Sequence, residues 1–215
     1  MKYNYYDKTY YDWQKKAGVY GGMQDAWKFE HFIKPSDAVL DFGCGGGFLL
    51  ENIKCKIKYG VDINMTARRE AEEKGIRVFS SLDTIPFRQK FDAIISHHTL
   101  EHIEDPASVL KTLRKYLKKN GLSIHVVPID DWRNEKKYNP KDVNKHLYTW
   151  TPLLIGNLFA HCGYLVQDTT IVAYQWLPLS RYYYKYIPKY LYYFLCKIWG
   201  ALIRNREIRI IARPK

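Results

Sequence analysis

Val39-Leu40-Asp41-Phe42-Gly43-Cys44-Gly45-Gly46-Gly47-Phe48-Leu49-Leu50 reads as a short apolar strand, a glycine-rich turn and an apolar segment able to coil into a helix. Glycines let a backbone turn tightly and approach a ligand closely, and the following helix offers it unpaired N–H groups. About twenty residues further on, Tyr59-Gly60-Val61-Asp62 ends a second apolar strand on a carboxylate suited to ribose hydroxyls. A dinucleotide fingerprint needs glycine at position 48, where this chain has Phe48, and Asp41 stands inside the motif just before its first glycine. The turn therefore favours adenosine joined to a compact charged group over a pyrophosphate.

From Pro35 onward strand and helix patterns alternate, which predicts an α/β doubly wound, mostly parallel sheet. Strands are expected near 38–42, 57–61, 76–79, 91–96 and 121–127, and helices over 46–54, 65–74 and 106–119. Asp105-Pro106 opens the last of these helices, Leu110, Leu113 and Leu117 form its buried stripe, and Asn120-Gly121 closes it. Thr151-Pro152 starts another helix, to about His161. Residues 164–174 and 207–213 then read as two closing strands with no crossover helix between them, hence an antiparallel hairpin.

Asp41-x-Gly43-x-Gly45 followed by Asp62 resembles motifs I and II of the class I S-adenosylmethionine-dependent methyltransferases. Phe91-Asp92-Ala93-Ile94-Ile95-Ser96-His97-His98-Thr99-Leu100-Glu101-His102 resembles that family's fourth strand and its Leu-Glu-His turn, of the small-molecule or glycan type. The resemblance implies a Rossmann-like seven-stranded sheet closed by an antiparallel hairpin, and it covers nearly the whole chain apart from a helical insert before the last strand. It also implies S-adenosylmethionine as cofactor and S-adenosylhomocysteine as product. Asp41, Gly43, Cys44 and Gly45 would lie beside the methionine portion, and Asp62, Ile63 and Asn64 at the ribose. Ser81 and Leu82 would lie near the adenine, with Asp83 either a second contact or a turn residue. Ser81 departs from the aspartate or asparagine usual there. His97 and His98 would end the fourth strand beside the sulfonium, with Ser96 and His97 among the cofactor contacts.

His97, His98 and His146 are the candidate catalytic bases, since a neutral imidazole can take the proton of an attacking hydroxyl. His98, Glu101 and His102 fall at i, i+3 and i+4, one face of a helical turn. Metal-dependent relatives acting on RNA 3′ ends or quinone precursors carry carboxylate and histidine ligands around such a segment. His98, Glu101, His102 and His146 are thus a candidate divalent-metal set, softer than a Mg²⁺ site. The competing reading is a metal-free site in which Glu101 and His102 serve packing.

The 215 residues carry a net charge of +12, which favours acidic partners. Cys44, Cys55, Cys162 and Cys196 are scattered, so neither a zinc cluster nor a disulfide framework is expected. With no signal-peptide core at Met1 and no spanning apolar run, a cytoplasmic location is expected. Residues 1–35 read as a helical lid broken at Gly18 and Gly21-Gly22, with Tyr10, Tyr11 and Trp13 as lid side chains. Residues 36–215 form the cofactor domain, and the polar 128–146 loop suits substrate recognition.

Within the insert at 175–204, Leu191, Leu195, Ile198, Trp199 and Leu202 share one face, and Lys189, Lys197 and Arg204 the other. That pattern fits a peripheral contact with anionic membrane through 177–204, a homodimer contact, or packing on the chain's own domain; nucleic acid ranks below these. The expected reaction is O-methylation of a sugar, a polysaccharide precursor or a lipid-associated small molecule. The alternatives are a metal-dependent RNA 2′-O-methyltransferase-like enzyme and a non-catalytic adenosine-ligand-binding protein docked on a membrane or partner.

Overall fold

The computed structural model describes residues 8–131, 133 and 136–215, and the side chains of residues 8–10 and 13 fall outside that description. The lid candidates Tyr10 and Trp13 and the loop residues Trp132, Asn134 and Glu135 lie outside it too.

The chain opens with helices α1 (Lys8–Asp25) and α2 (Trp27–Glu30). Strand β1 (Ala38–Phe42), the one-turn helix α3 (Phe48–Glu51) and β2 (Ile57–Val61) follow. Next come α4 (Met65–Glu73), β3 (Arg77–Phe79), β4 (Phe91–His97), α5 (Pro106–Tyr116) and β5 (Leu117–Pro128). The chain closes with α6 (Pro152–His161), β6 (Tyr164–Ala173), α7 (Lys189–Leu202) and β7 (Arg206–Pro214). The sheet order is β3-β2-β1-β4-β5-β7-β6. β1 to β5 run parallel, and β7 runs antiparallel between β5 and β6.

Alternate residues of the central strands feed two apolar layers, as the two-residue period of a strand requires. Leu40, Ile94 and Ile210 pack with Leu110, Leu113 and Phe159 of α5 and α6 on one face. Val39, Ile95 and Ile211 pack with Phe29, Leu50 and Ala71 on the other. Helix starts are set by side-chain caps: Asn64 Oδ1 accepts from the Thr66 N–H (2.9 Å), Asp105 Oδ1 from Ser108 N–H (2.9 Å) and Thr151 Oγ1 from Leu154 N–H (3.2 Å). Among the described residues no helix is long and apolar enough to cross a membrane.

Three elements differ from expectation. The helix after β1 is only one turn, because Gly47 takes a left-handed conformation (φ 75°) and delays its start. α5 stops at Tyr116, and Leu117 pairs instead with Phe91 of β4. Asn120-Gly121 therefore marks an irregularity inside β5 rather than a helix end; a side chain on Gly121 would crowd the Phe91 carbonyl at 3.1 Å.

The third difference is α1, which runs unbroken through Gly18, Gly21 and Gly22. These glycines serve close approach. A Cβ at Gly18 would meet the Phe48 ring at 2.7 Å, one at Gly21 the Trp176 ring at 2.8 Å, and one at Gly22 the backbone of Phe48. The helix can thus lie directly on the glycine turn. Gly22→Ala should cost about 1–3 kcal/mol in urea denaturation, because backbone cannot give way as a side chain can. Gly156→Ala, inside α6 with its nearest neighbour 3.8 Å away, should be neutral or stabilise by about 0.5–1 kcal/mol.

Candidate active site

The strand ends β1, β2 and β4 open onto a cavity of ≈ 610 Å³ that α1 roofs with Gln14, Ala17, Gly18 and Gly21. Asp41, Gly43, Cys44, Gly45, Asp62, Ile63 and Asn64 all line it, as do His97, His98 and His146. Ser81, Leu82 and Ser96 do not. Ser96 is buried in the sheet and donates its hydroxyl to the Phe42 carbonyl at 2.9 Å. The Leu82 carbonyl accepts from the Tyr116 hydroxyl at 3.0 Å, and Ser81 starts a single turn closed through Thr84 Oγ1. Tyr11 does not enter the cavity: its hydroxyl donates to Glu70 Oε2 at 2.6 Å, and Lys15 meets the same oxygen at 2.7 Å, clasping α1 to α4.

The glycine turn is held by its backbone. Gly43 and Cys44 N–H donate to the Val61 carbonyl at 2.8 and 3.1 Å. Gly43 sits at φ 80°, and a Cβ there would collide with the Thr99 side chain. Asp62 accepts from Gly45 N–H and Asn64 N–H, both at 2.8 Å, which joins the turn to the end of β2. Asp41 is 2 % exposed, and among the described residues no hydrogen bond reaches its Oδ1. Burial, then the Asp62 charge, pushes its carboxyl up to about 8. The buried Asp41 and the half-buried Asp62 form a pocket wall that suits a cation. An ammonium or sulfonium fits; a pyrophosphate would be repelled.

At the end of β4 the two histidines stack at 4.3 Å between centroids. His98 adopts φ 51°, a left-handed turn that aims its ring at β7. Its Nε2 lies 3.1 Å from Glu207 Oε1. Burial opposes charging this ring, but the Glu207 hydrogen bond and charge prevail and raise its pKa. His97 Nε2 lies 3.1 Å from Lys28 Nζ, so burial and the lysine charge hold that ring well below the usual imidazole range. Because the ammonium donates, His97 Nε2 must accept, which places the ring proton on Nδ1. Lys28, 1 % exposed, also meets Asp25 Oδ1 at 3.0 Å and Glu207 Oε2 at 2.5 Å.

A second group forms where the Leu100–His102 turn meets the loop before α6. His146 Nδ1 lies 2.9 Å from Asp130 Oδ2, and the Leu147 N–H donates to the Glu101 carbonyl at 2.8 Å. Burial alone would lower His146; the Asp130 hydrogen bond outweighs it and raises the ring. Ligand atoms of Glu101, His102 and His146 lie within 4.8 Å of one another. His98 is not with them: it groups with His97 and Glu207, so the four-residue metal set divides in two. Glu101 is fully buried, and among the described residues no hydrogen bond reaches either carboxylate oxygen.

Lys28 and Glu207 were missed in the sequence. Their signals were a lysine between Trp27 and Phe29 in an apolar helix, and a lone carboxylate opening the last strand.

A methyltransferase-domain family model matches residues 23–169, more than half of the chain. The chain belongs to the class I S-adenosylmethionine-dependent methyltransferases. The ubiquinone biosynthesis O-methyltransferase of Histophilus somni is 35 % identical over 99 residues, covering 39 % of this chain and 42 % of that one. The enzyme of the same name from Actinobacillus pleuropneumoniae is 29 % identical over 149 residues, covering 55 % and 64 %. The chain thus spans less than two thirds of the length of these curated relatives. The S-adenosylmethionine-dependent methyltransferase of Clostridium acetobutylicum shares the fold at a TM-score of 0.60 and 16 % identity, over 94 % of this chain and 98 % of that one.

Asp41 gives this chain a measurable signature. Its carboxyl is largely protonated at pH 7 in the empty protein, and a bound cation favours the ionised form. Calorimetry at pH 7 in buffers of different ionisation enthalpy should show S-adenosylmethionine binding release a proton, and Asp41→Asn should abolish that release.

Proposed function

We propose that the protein transfers the methyl group of S-adenosylmethionine to a hydroxyl of a sugar or lipid-associated small molecule. His98 is the general base and Glu207 its positioning partner. The observation that carries this reading is the His98–Glu207 pair at 3.1 Å on the wall of the cavity that holds the glycine turn. The relatives' names support O-methylation, and they place those enzymes in ubiquinone biosynthesis.

Asp41 and the turn from Gly43 to Gly45 would hold the charged methionine end, and Asp62 the ribose. Bound S-adenosylmethionine supplies an activated methyl, leaving in-line positioning and removal of one proton to the protein. His98 suits the second task, because the Glu207 carboxylate stabilises the imidazolium that forms. His97, kept neutral by Lys28, presents an uncharged ring toward the methyl donor. α1 roofs the cavity and acts as the lid that excludes water.

His98→Ala should lower kcat/KM by about 10²–10⁴-fold while S-adenosylhomocysteine affinity stays within about threefold. Asp62→Ala should instead abolish cofactor binding. Equal methyl transfer by His98→Ala and the unmodified protein would refute the base assignment. The pH profile gives a finer reading. Glu207 raises His98, so the acid limb of kcat/KM lies above the ordinary imidazole value of 6.5, and activity falls as pH drops through it. Glu207→Gln removes the raising partner and should move that limb to lower pH.

The buried Glu101 carboxylate favours a second reading, in which Glu101, His102 and His146 hold a divalent ion that orients the acceptor hydroxyl. Asp130 would then fix the His146 tautomer from behind, with Nε2 left for the metal. Chelator-treated protein should lose turnover and regain it with added Mn²⁺ or Zn²⁺; an unchanged rate after metal removal would discard this reading.

A further inference from the structure

α7 packs onto the domain with the side opposite to its leucines. Tyr192, Cys196 and Gly200 are its buried residues, and Gly200 sits so close to the Tyr174 backbone that a Cβ would overlap it. Leu191, Phe194, Ile198 and Leu202 form the outward stripe, with exposures of 48, 59, 42 and 71 %. Tyr186 and Tyr190 extend it at 77 and 90 %. The helix of 14 residues is about 21 Å long, too short to cross a bilayer but able to lie along one.

Charge decides among occupants of this face. Between Asp168 and Glu207 the sequence has no carboxylate, while it has six cations at Arg181, Lys185, Lys189, Lys197, Arg204 and Arg206. Lys189 faces Glu30 on the domain at 3.9 Å. Arg181 and Lys185 lie over the rings of Tyr182 and Tyr186, at 4.9 and 5.4 Å. A second copy docked on the same face would bring these cations against their own kind. An acid-free apolar stripe bordered by tyrosines and cations instead matches an anionic interface, with aromatic bodies at the headgroups and charges on phosphates.

We propose that α7 and the tyrosine-rich segment before it dock the protein on an anionic lipid bilayer. The stripe enters the acyl boundary, and Arg181 and Lys185 meet lipid phosphates, while Lys197 lies over the Trp27 ring of the domain at 5.3 Å. Gln175, Trp176 and Asn205, at the two roots of this segment, line the cavity, so the docked face holds the cavity close to the lipid. The docking itself does not depend on which acceptor is methylated.

The test is co-sedimentation of the full chain with phosphatidylcholine vesicles, with and without about one third phosphatidylglycerol. Binding should be at least about tenfold stronger to the anionic vesicles and should weaken as salt rises. The variant Leu191→Ser/Phe194→Ser/Ile198→Ser/Leu202→Ser should lose at least about tenfold of that binding. A second variant, Arg181→Gln/Lys185→Gln, should lose a similar share. Both should keep the melting temperature and the S-adenosylhomocysteine affinity of the unmodified protein, which separates a lost surface from a lost fold. Failure of the unmodified chain to bind anionic vesicles would overturn the proposal, as would undiminished binding by the serine variant. A dimer that the serine variant dissolves, without vesicle binding, would assign the face to self-association and likewise overturn it.

Discussion

A buried ammonium is expensive unless it is paired, and Lys28 of α2 is paired on three sides: Asp25 at the end of α1, Glu207 on the last strand and His97 at the end of β4. Burial disfavours the charge, yet the two carboxylates prevail and hold Lys28 protonated. The lysine in turn keeps Glu207 ionised against its own burial. One cation thereby joins the N-terminal helices, the fourth strand and the closing hairpin. Without it, Glu207 would lose its buried counter-ion and His97 the charge that helps hold it neutral.

The rest of the site inherits that order. Lys28 donates to His97 and keeps it neutral, while Glu207 turns toward His98 and raises it, so adjacent stacked rings acquire opposite tendencies. Environments that push neighbouring groups apart in this way mark acid–base sites. Across the cavity, Asp62 and, once a bound cation favours its ionised form, Asp41 place carboxylates where the cofactor is expected to carry positive charge. The glycines of α1 let the roof close directly on the turn, and the Tyr11–Glu70–Lys15 clasp fixes it there.

Much of this was legible in the residues because it is local. The glycine turn, Asp62 at the end of an apolar strand and the Leu-Glu-His turn are contiguous motifs whose backbone demands fix their placement. The strand assignments followed from apolar runs bounded by turn residues. What escaped was set by tertiary contacts. Gly18, Gly21 and Gly22 looked like helix breakers because their partners, Phe48 and Trp176, are distant in sequence. Asn120-Gly121 looked like a helix end because β5 begins early, paired through Leu117 to Phe91. The amphipathic pattern of α7 was visible, yet only the fold shows that Tyr192, Cys196 and Gly200 face inward, that Leu191, Phe194, Ile198 and Leu202 face outward, and that Leu195 and Trp199 are half-buried. Spacing could not divide the four-residue metal set, because the left-handed turn at His98 sends that ring to Glu207.

One buried lysine and one buried glutamate set the two histidines apart. Side-chain NMR of the imidazole nitrogens, titrated through the neutral range, reads it directly. His97 should stay neutral throughout with its proton on Nδ1, while His98 should titrate above the ordinary 6.5 and drop when Glu207 is changed to Gln. A His98 that titrates at or below that value in the unmodified protein, or a His97 that gains a proton near neutrality, would contradict the account.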